Sequence, residues 1–224
     1  MGTEITLSKF DAALDQLTSA IDLYFGNGKL VAVHTLAAAA YQVLHDLSED
    51  SPHEGFDILK RVWAPLSKEK QSIAWKEFRK PQNFIKHAKL DKENTITLRE
   101  CHTEYILLCG VFLAESFGIE TSNKVTKEDR NAITAFKLWV VFKFSEESND
   151  ANFQFGDVIT TLSGVFPFIP PLSPSCSRQE YYQWSKRVWG QLEEMVNRFV
   201  TKSQIESLLT NPKYKDLDPL FATL

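Results

Sequence analysis

What most constrains this chain is the repeated pairing of a helix-starting hydroxyl residue with apolar residues spaced three and four apart. Ser8-Lys9-Phe10-Asp11 opens a stretch whose Phe10, Leu14, Leu17, Ile21 and Phe25 form one stripe, closed by Gly26 and Gly28. Ser51-Pro52-His53-Glu54 reads as a capping box with Pro at the first helical position, where its missing N–H costs nothing. Thr126-Lys127-Glu128-Asp129 precedes Ile133, Phe136, Val140 and Phe144. Ser177-Arg178-Gln179-Glu180 precedes Tyr181, Trp184, Val188, Leu192, Met195 and Phe199, and Thr201 opens a short helix through Ile205, Leu208 and Leu209. Each hydroxyl can satisfy a free backbone N–H while the apolar residues line one face. Three further helices are expected over 29–47 (Ala-rich, Leu30 to Leu47), 67–79 (Ile73, Trp75, Phe78, interrupted by Pro81) and 96–117 (Leu98, Cys101, Tyr105, Leu108, Phe112). No Asn-Gly or Asp-Gly hairpin with alternating flanks occurs, and Asn27-Gly28 joins two helical patterns.

The expected fold class is therefore all-α, a single bundle of about seven to nine helices over residues 1–211 with a C-terminal tail at 212–224. The segment 164–174 carries four prolines and is read as a loop strapped across the bundle. Forty-three per cent hydrophobic residues, with sixteen Phe, six Tyr and five Trp, supply enough core that no metal or disulfide staple is called for. Three cysteines without C-x-x-C spacing give neither a disulfide framework nor a zinc knuckle and read as buried or incidental thiols. The start of the chain lacks a signal-peptide pattern, and no run approaches ~18 uncharged apolar residues. The expectation is a cytoplasmic protein with no membrane partner.

Charge is unevenly spread. Residues 1–59 hold nine acidic and two basic side chains, whereas 60–92 hold ten basic and three acidic. Two explanations stand side by side. Either the regions complement each other or form solvated faces, or the basic block is a surface that steers phosphate or nucleic acid. Within that block, Pro81-Gln82-Asn83-Phe84-Ile85-Lys86-His87 is the most distinctive string. With Pro81 at a first helical turn, Gln82 and Asn83 would lie among free N–H groups at a positive helix end, with Asn83 and His87 on one face and Lys86 close by. The ligand-binding candidates are therefore Gln82, Asn83, Lys86 and His87. His34 is a secondary candidate, read either as approaching Asn83 and His87 or as a core histidine with one nitrogen satisfied. Structural roles for Asn83 and His87, a cap and a backbone contact, remain the competing explanation.

Asn83-x3-His87 resembles the end of the Arg-polar-x3-His signature of the HEPN superfamily, α-helical bundles of prokaryotic defence and toxin systems, and the Ala-rich helix at 29–47 is similar to helices of such bundles. The likeness covers about 30 of the 224 residues. It implies a HEPN-like bundle, and, in members that cleave RNA, an active site built from the motif's Arg and His across a dimer; His87 and Asn83 would be the catalytic candidates. Gln82 stands where the catalytic pattern has Arg, which argues against cleavage because no guanidinium would stabilise the phosphate transition state.

Other chemistries are disfavoured. Only Asp50 lies three residues before a His among the acidic residues, and Pro52 interrupts that pair, so a ferritin-like di-metal site is not expected. Glu100 and Glu104 read as a solvated stripe. Neither a phosphate-cradling Gly-Lys-Ser/Thr loop, a Gly-x-Gly-x-x-Gly nor a Gly-x-Ser-x-Gly occurs, and no metal or cofactor is implied. Phe136 to Phe144 is apolar on more than one face, which suggests a central helix or a dimer contact. Three readings follow: a binder of RNA, a nucleotide or another anion near Asn83 and His87; a non-enzymatic interaction or self-assembly module; and a metal-independent ribonuclease whose cation comes from Arg79, Lys80 or a partner.

Overall fold

The structure, a computed structural model, describes residues 4–49, 59, 63–87, 95–119, 125–147, 177–183, 185 and 186. Five helices are bounded within them: α1 (Lys9–Phe25), α2 (Leu30–Glu49), α3 (Lys68–Lys86), α4 (Glu100–Ser116) and α5 (Lys127–Glu147), with further helical residues at 178–183. No strand occurs among the described residues, so the all-α class is as expected. The expected count of seven to nine helices is not reached among them. The capping box at Ser51, the Pro-rich segment 164–174, the helix after Thr201 and the tail at 212–224 lie outside the described residues.

Local signals set the helix ends. Ser8 Oγ accepts the Asp11 N–H at 3.0 Å while the Ser8 N–H donates to the Asp11 carboxylate at 3.1 Å, a reciprocal cap. Ser177 and Glu180 make the same exchange, at 3.2 Å and 2.9 Å. α1 stops at Gly26. Asn27 then takes a left-handed conformation at φ 57°, and the Gly28 N–H reaches back to the Leu23 carbonyl at 2.7 Å. This six-to-one closure turns the chain directly into α2.

α2 packs against both α1 and α4 and also touches α3. The stripe read in α1 is its inner face: Leu14, Leu17, Ile21 and Phe25 are buried, and half-buried Phe10 meets Phe117 with ring centres 5.7 Å apart. α2 contributes Val33, Ala37, Ala40 and Leu44, whose small members let its neighbours approach closely. α4 is buried continuously from Ile106 to Ala114, wider than the single stripe expected, because helices cover it on more than one side. At Gly110 an added Cβ would lie 3.0 Å from Leu17 Cδ1, so α1 and α4 touch there at the backbone of one helix.

Two expectations about α3 are corrected. The helix does not stop before Pro81 but runs through it to Lys86. The proline removes the N–H that would bond the Glu77 carbonyl, and its buried ring supplies packing in return. Ile73, expected inside, is 48% exposed; the inner face is Ala74, Phe78, Pro81 and Gln82.

The described residues fall into two compact units, divided between Thr126 and Lys127. In the second unit α5 buries Ala132, Ile133, Phe136, Trp139 and Val140. Trp139 lies 5.2 Å from the Tyr181 ring, and the Tyr181 hydroxyl donates to the Ala135 carbonyl at 2.9 Å. The apolar breadth of α5 is thus covered, at least at Trp139, from within its own unit.

The turn between α1 and α2 offers a direct test. An added Cβ at Gly28 would sit 2.8 Å from the Leu23 carbonyl oxygen, a backbone atom fixed by the helix. Gly28→Ala is expected to lower stability in urea unfolding by about 1–3 kcal/mol.

Candidate functional site

α3 is held by its inner face. Tyr41 of α2 meets Phe78 edge-on at 5.4 Å, His45 lies 5.1 Å from Trp75, and Trp63 meets Trp75 edge-on at 5.0 Å. This aromatic cluster fixes the rotation of α3 about its axis, which decides what its outer face presents.

At 3.6 residues per turn, Lys68, Lys76, Arg79, Lys80 and Lys86 fall within an arc of about 120°, opposite the buried residues and together with Ser72 and Asn83. Lys68, Lys76 and Lys86 are exposed; Arg79 and Lys80 are half-buried. Of the helix's two acidic residues, only Glu69 shares the arc. Among the described residues no ion pair engages Lys68, Lys76 or Lys86. The face runs about 27 Å from Lys68 to Lys86 at 1.5 Å per residue.

The structure places the candidates read from sequence differently from one another. Asn83, Lys86 and His87 are exposed on this outer face or at its end. Gln82 points inward, 8% exposed, with its side-chain nitrogen unpartnered. The helix-start premise is overturned: Asn83 lies in the last turn of α3, and His87 is the C-cap, its backbone N–H donating to the Asn83 carbonyl at 2.9 Å. A helix C-terminus carries partial negative charge and opposes an anion by about 0.3–1 kcal/mol. Attraction for an anion on this face must come from its cations.

His34 is fully buried, not in an open cleft with Asn83 and His87. Its Nδ1 shares a hydrogen bond with the Thr103 hydroxyl of α4 at 3.1 Å, and Nε2 has no partner. This is the core histidine with one nitrogen satisfied. Burial, reinforced by the positive charge of His102, lowers its pKa from 6.5 to about 4. The adjacent Glu104, expected on a solvated stripe, is 2% exposed and accepts a hydrogen bond from the Tyr24 hydroxyl of α1. Tyr24, Thr103 and Glu104 carried no recognisable spacing signal, because their partners stand 69 to 80 residues away. Arg79 and the lysines of α3 did carry one, a helical period, which becomes legible once Pro81 is read as interior.

No group of three or more potential metal ligands converges among the described residues, and no helix of theirs is long and apolar enough to cross a membrane. Cys101 is half-buried and Cys109 buried, while Cys176 lies outside the described residues.

His34 makes stability depend on pH with a defined sign. The unfolded chain takes up a proton near pH 6.5 and the folded chain only near pH 4, so protons favour unfolding. The His34 contribution is complete above pH 6.5 and is lost as pH falls towards 4, by up to about 3 kcal/mol at 1.36 kcal/mol per unit. Chemical unfolding at several pH values should show this loss in the wild type and a shallower one in His34→Gln. Comparison with known protein families, with curated proteins and with solved structures finds no match to this chain.

Proposed function

We propose that this chain is a HEPN-like helical bundle that binds single-stranded RNA along the outer face of α3, with Asn83, Lys86 and His87 at one end of the contact. The observation that carries this reading is the basic arc: five cations turned to one side, three of them without an ion-pair partner among the described residues. Surface cations left unneutralised attract a phosphate chain by releasing its counterions, a gain that accumulates with each phosphate engaged. It outweighs the single opposing dipole at the helix end. The role proposed is binding, because what this face offers is a row of cations along one helix.

A second reading, metal-independent RNA cleavage, draws support from one geometric fact. Because α3 continues through Pro81, Arg79 and Asn83 stand one turn apart, and His87 follows at the same spacing. Arg79 would supply the guanidinium whose absence at Gln82 argued against cleavage, with His87 as the proton-transfer group.

Fluorescence anisotropy of a labelled single-stranded RNA tests the first reading. With about four phosphates neutralised, affinity should fall about 50-fold between about 50 and 200 mM salt. The double substitution Lys76→Glu, Lys86→Glu should weaken binding at every salt concentration and flatten the slope by roughly two phosphates. Affinity insensitive to both salt and charge reversal would remove α3 as the contact. Gel analysis of the same RNA after prolonged incubation with chelator decides the second reading, which requires products that disappear in His87→Ala.

A further inference from the structure

Within the basic face one side chain differs from the others. The Arg79 guanidinium carbon lies 4.8 Å from the centre of the Trp75 ring. Among the described residues this is its only specific interaction: no hydrogen bond or ion pair engages it, and its Nε is buried without a partner. Trp75 is itself immobilised, with Trp63, His45 and Phe78 at 5.0, 5.1 and 5.9 Å. A guanidinium normally spends its five N–H donors on carboxylates, carbonyls or water. Here the carbon bearing them is fixed by an aromatic platform while the donors stay unused within the protein. Lys76 and Asn83, one turn before and one turn after, flank it on the outer face. Neither side chain has a recorded partner among the described residues.

We infer that Arg79, held over Trp75, is the anchor of this face and grips one phosphodiester phosphate with its N–H fork, with Lys76 and the Asn83 amide completing the contact. This rests on the RNA-binding reading and deepens it: the arc attracts the chain, and Arg79 fixes where it sits. The physical reason is preorganisation. An exposed lysine gives up rotamer freedom when it closes on an anion, whereas Arg79 has already lost much of its own to the Trp75 stack. Its planar fork also matches two phosphate oxygens at once, which an ammonium cannot do. The other four cations then act as interchangeable charges, while Arg79 does not.

The conservative substitution is the decisive one. Arg79→Lys keeps the charge but removes the fork and the stack. It should weaken binding of a labelled oligouridylate about tenfold or more while leaving the salt slope unchanged. Lys76→Arg, which also keeps charge, should change affinity less than about twofold. As a second measurement, RNA should alter tryptophan emission of the wild type, and Trp75→Phe should remove most of that response. Wild-type affinity in Arg79→Lys, with Lys76→Glu still weakening binding, would overturn the anchor and leave the basic face standing. Failure of the wild type to bind with any salt dependence would overturn both.

Discussion

The packing of α2 between α1 and α4 is the constraint on which the first unit depends. Its alanines allow close approach on both sides, and the same helix carries the three side chains that decide how its neighbours are held. His34 reaches Thr103 of α4, while Tyr41 and His45 receive the aromatic face of α3. Tyr24 and Glu104 close the remaining pair, joining α1 to α4 directly. Apolar burial alone would tolerate sliding of one helix past another, since leucine and alanine contacts are not directional. Hydrogen bonds between buried polar groups are directional, and breaking one leaves a group desolvated at about 1–3 kcal/mol. These contacts therefore select one alignment of helices that the apolar core would otherwise hold only loosely.

The same logic carries outward to α3. Its inner face is aromatic, so edge-on ring contacts fix its rotation, and the outer face is what remains. Six of its residues are basic and two acidic, yet net charge by itself would not make a binding face. What matters is that five of the cations lie on the side turned from the core and that Lys68, Lys76 and Lys86 meet no acidic partner among the described residues. Pro81 is central to this outcome. By continuing through the proline, the helix keeps Lys76, Arg79, Asn83 and Lys86 on one surface, whereas a break there would scatter them.

His34 and Glu104 show why polar residues in a core are hard to foresee. An imidazole on an Ala-rich helix and a carboxylate beside a histidine both resemble surface or site chemistry in a linear reading. Each instead meets a hydroxyl from a helix distant in sequence, at one ring nitrogen in the case of His34, and neither periodicity nor capping patterns report this. Stability that falls with acidification is one consequence of keeping such an imidazole neutral.

By itself, the sequence determined the helical class, the caps at Ser8 and Ser177, the inner stripe of α1 and the basic character of residues 60–92. All of these depend on neighbours within a few positions, where hydroxyl capping and three-to-four spacing act directly. Only the tertiary structure decided that α3 passes through Pro81, that Gln82 and His34 face inward, that Glu104 is buried, and that Arg79 rests on Trp75. Those outcomes turn on which helix covers which face. The energy of that choice comes from contacts between residues far apart in the chain, so no local pattern could encode it.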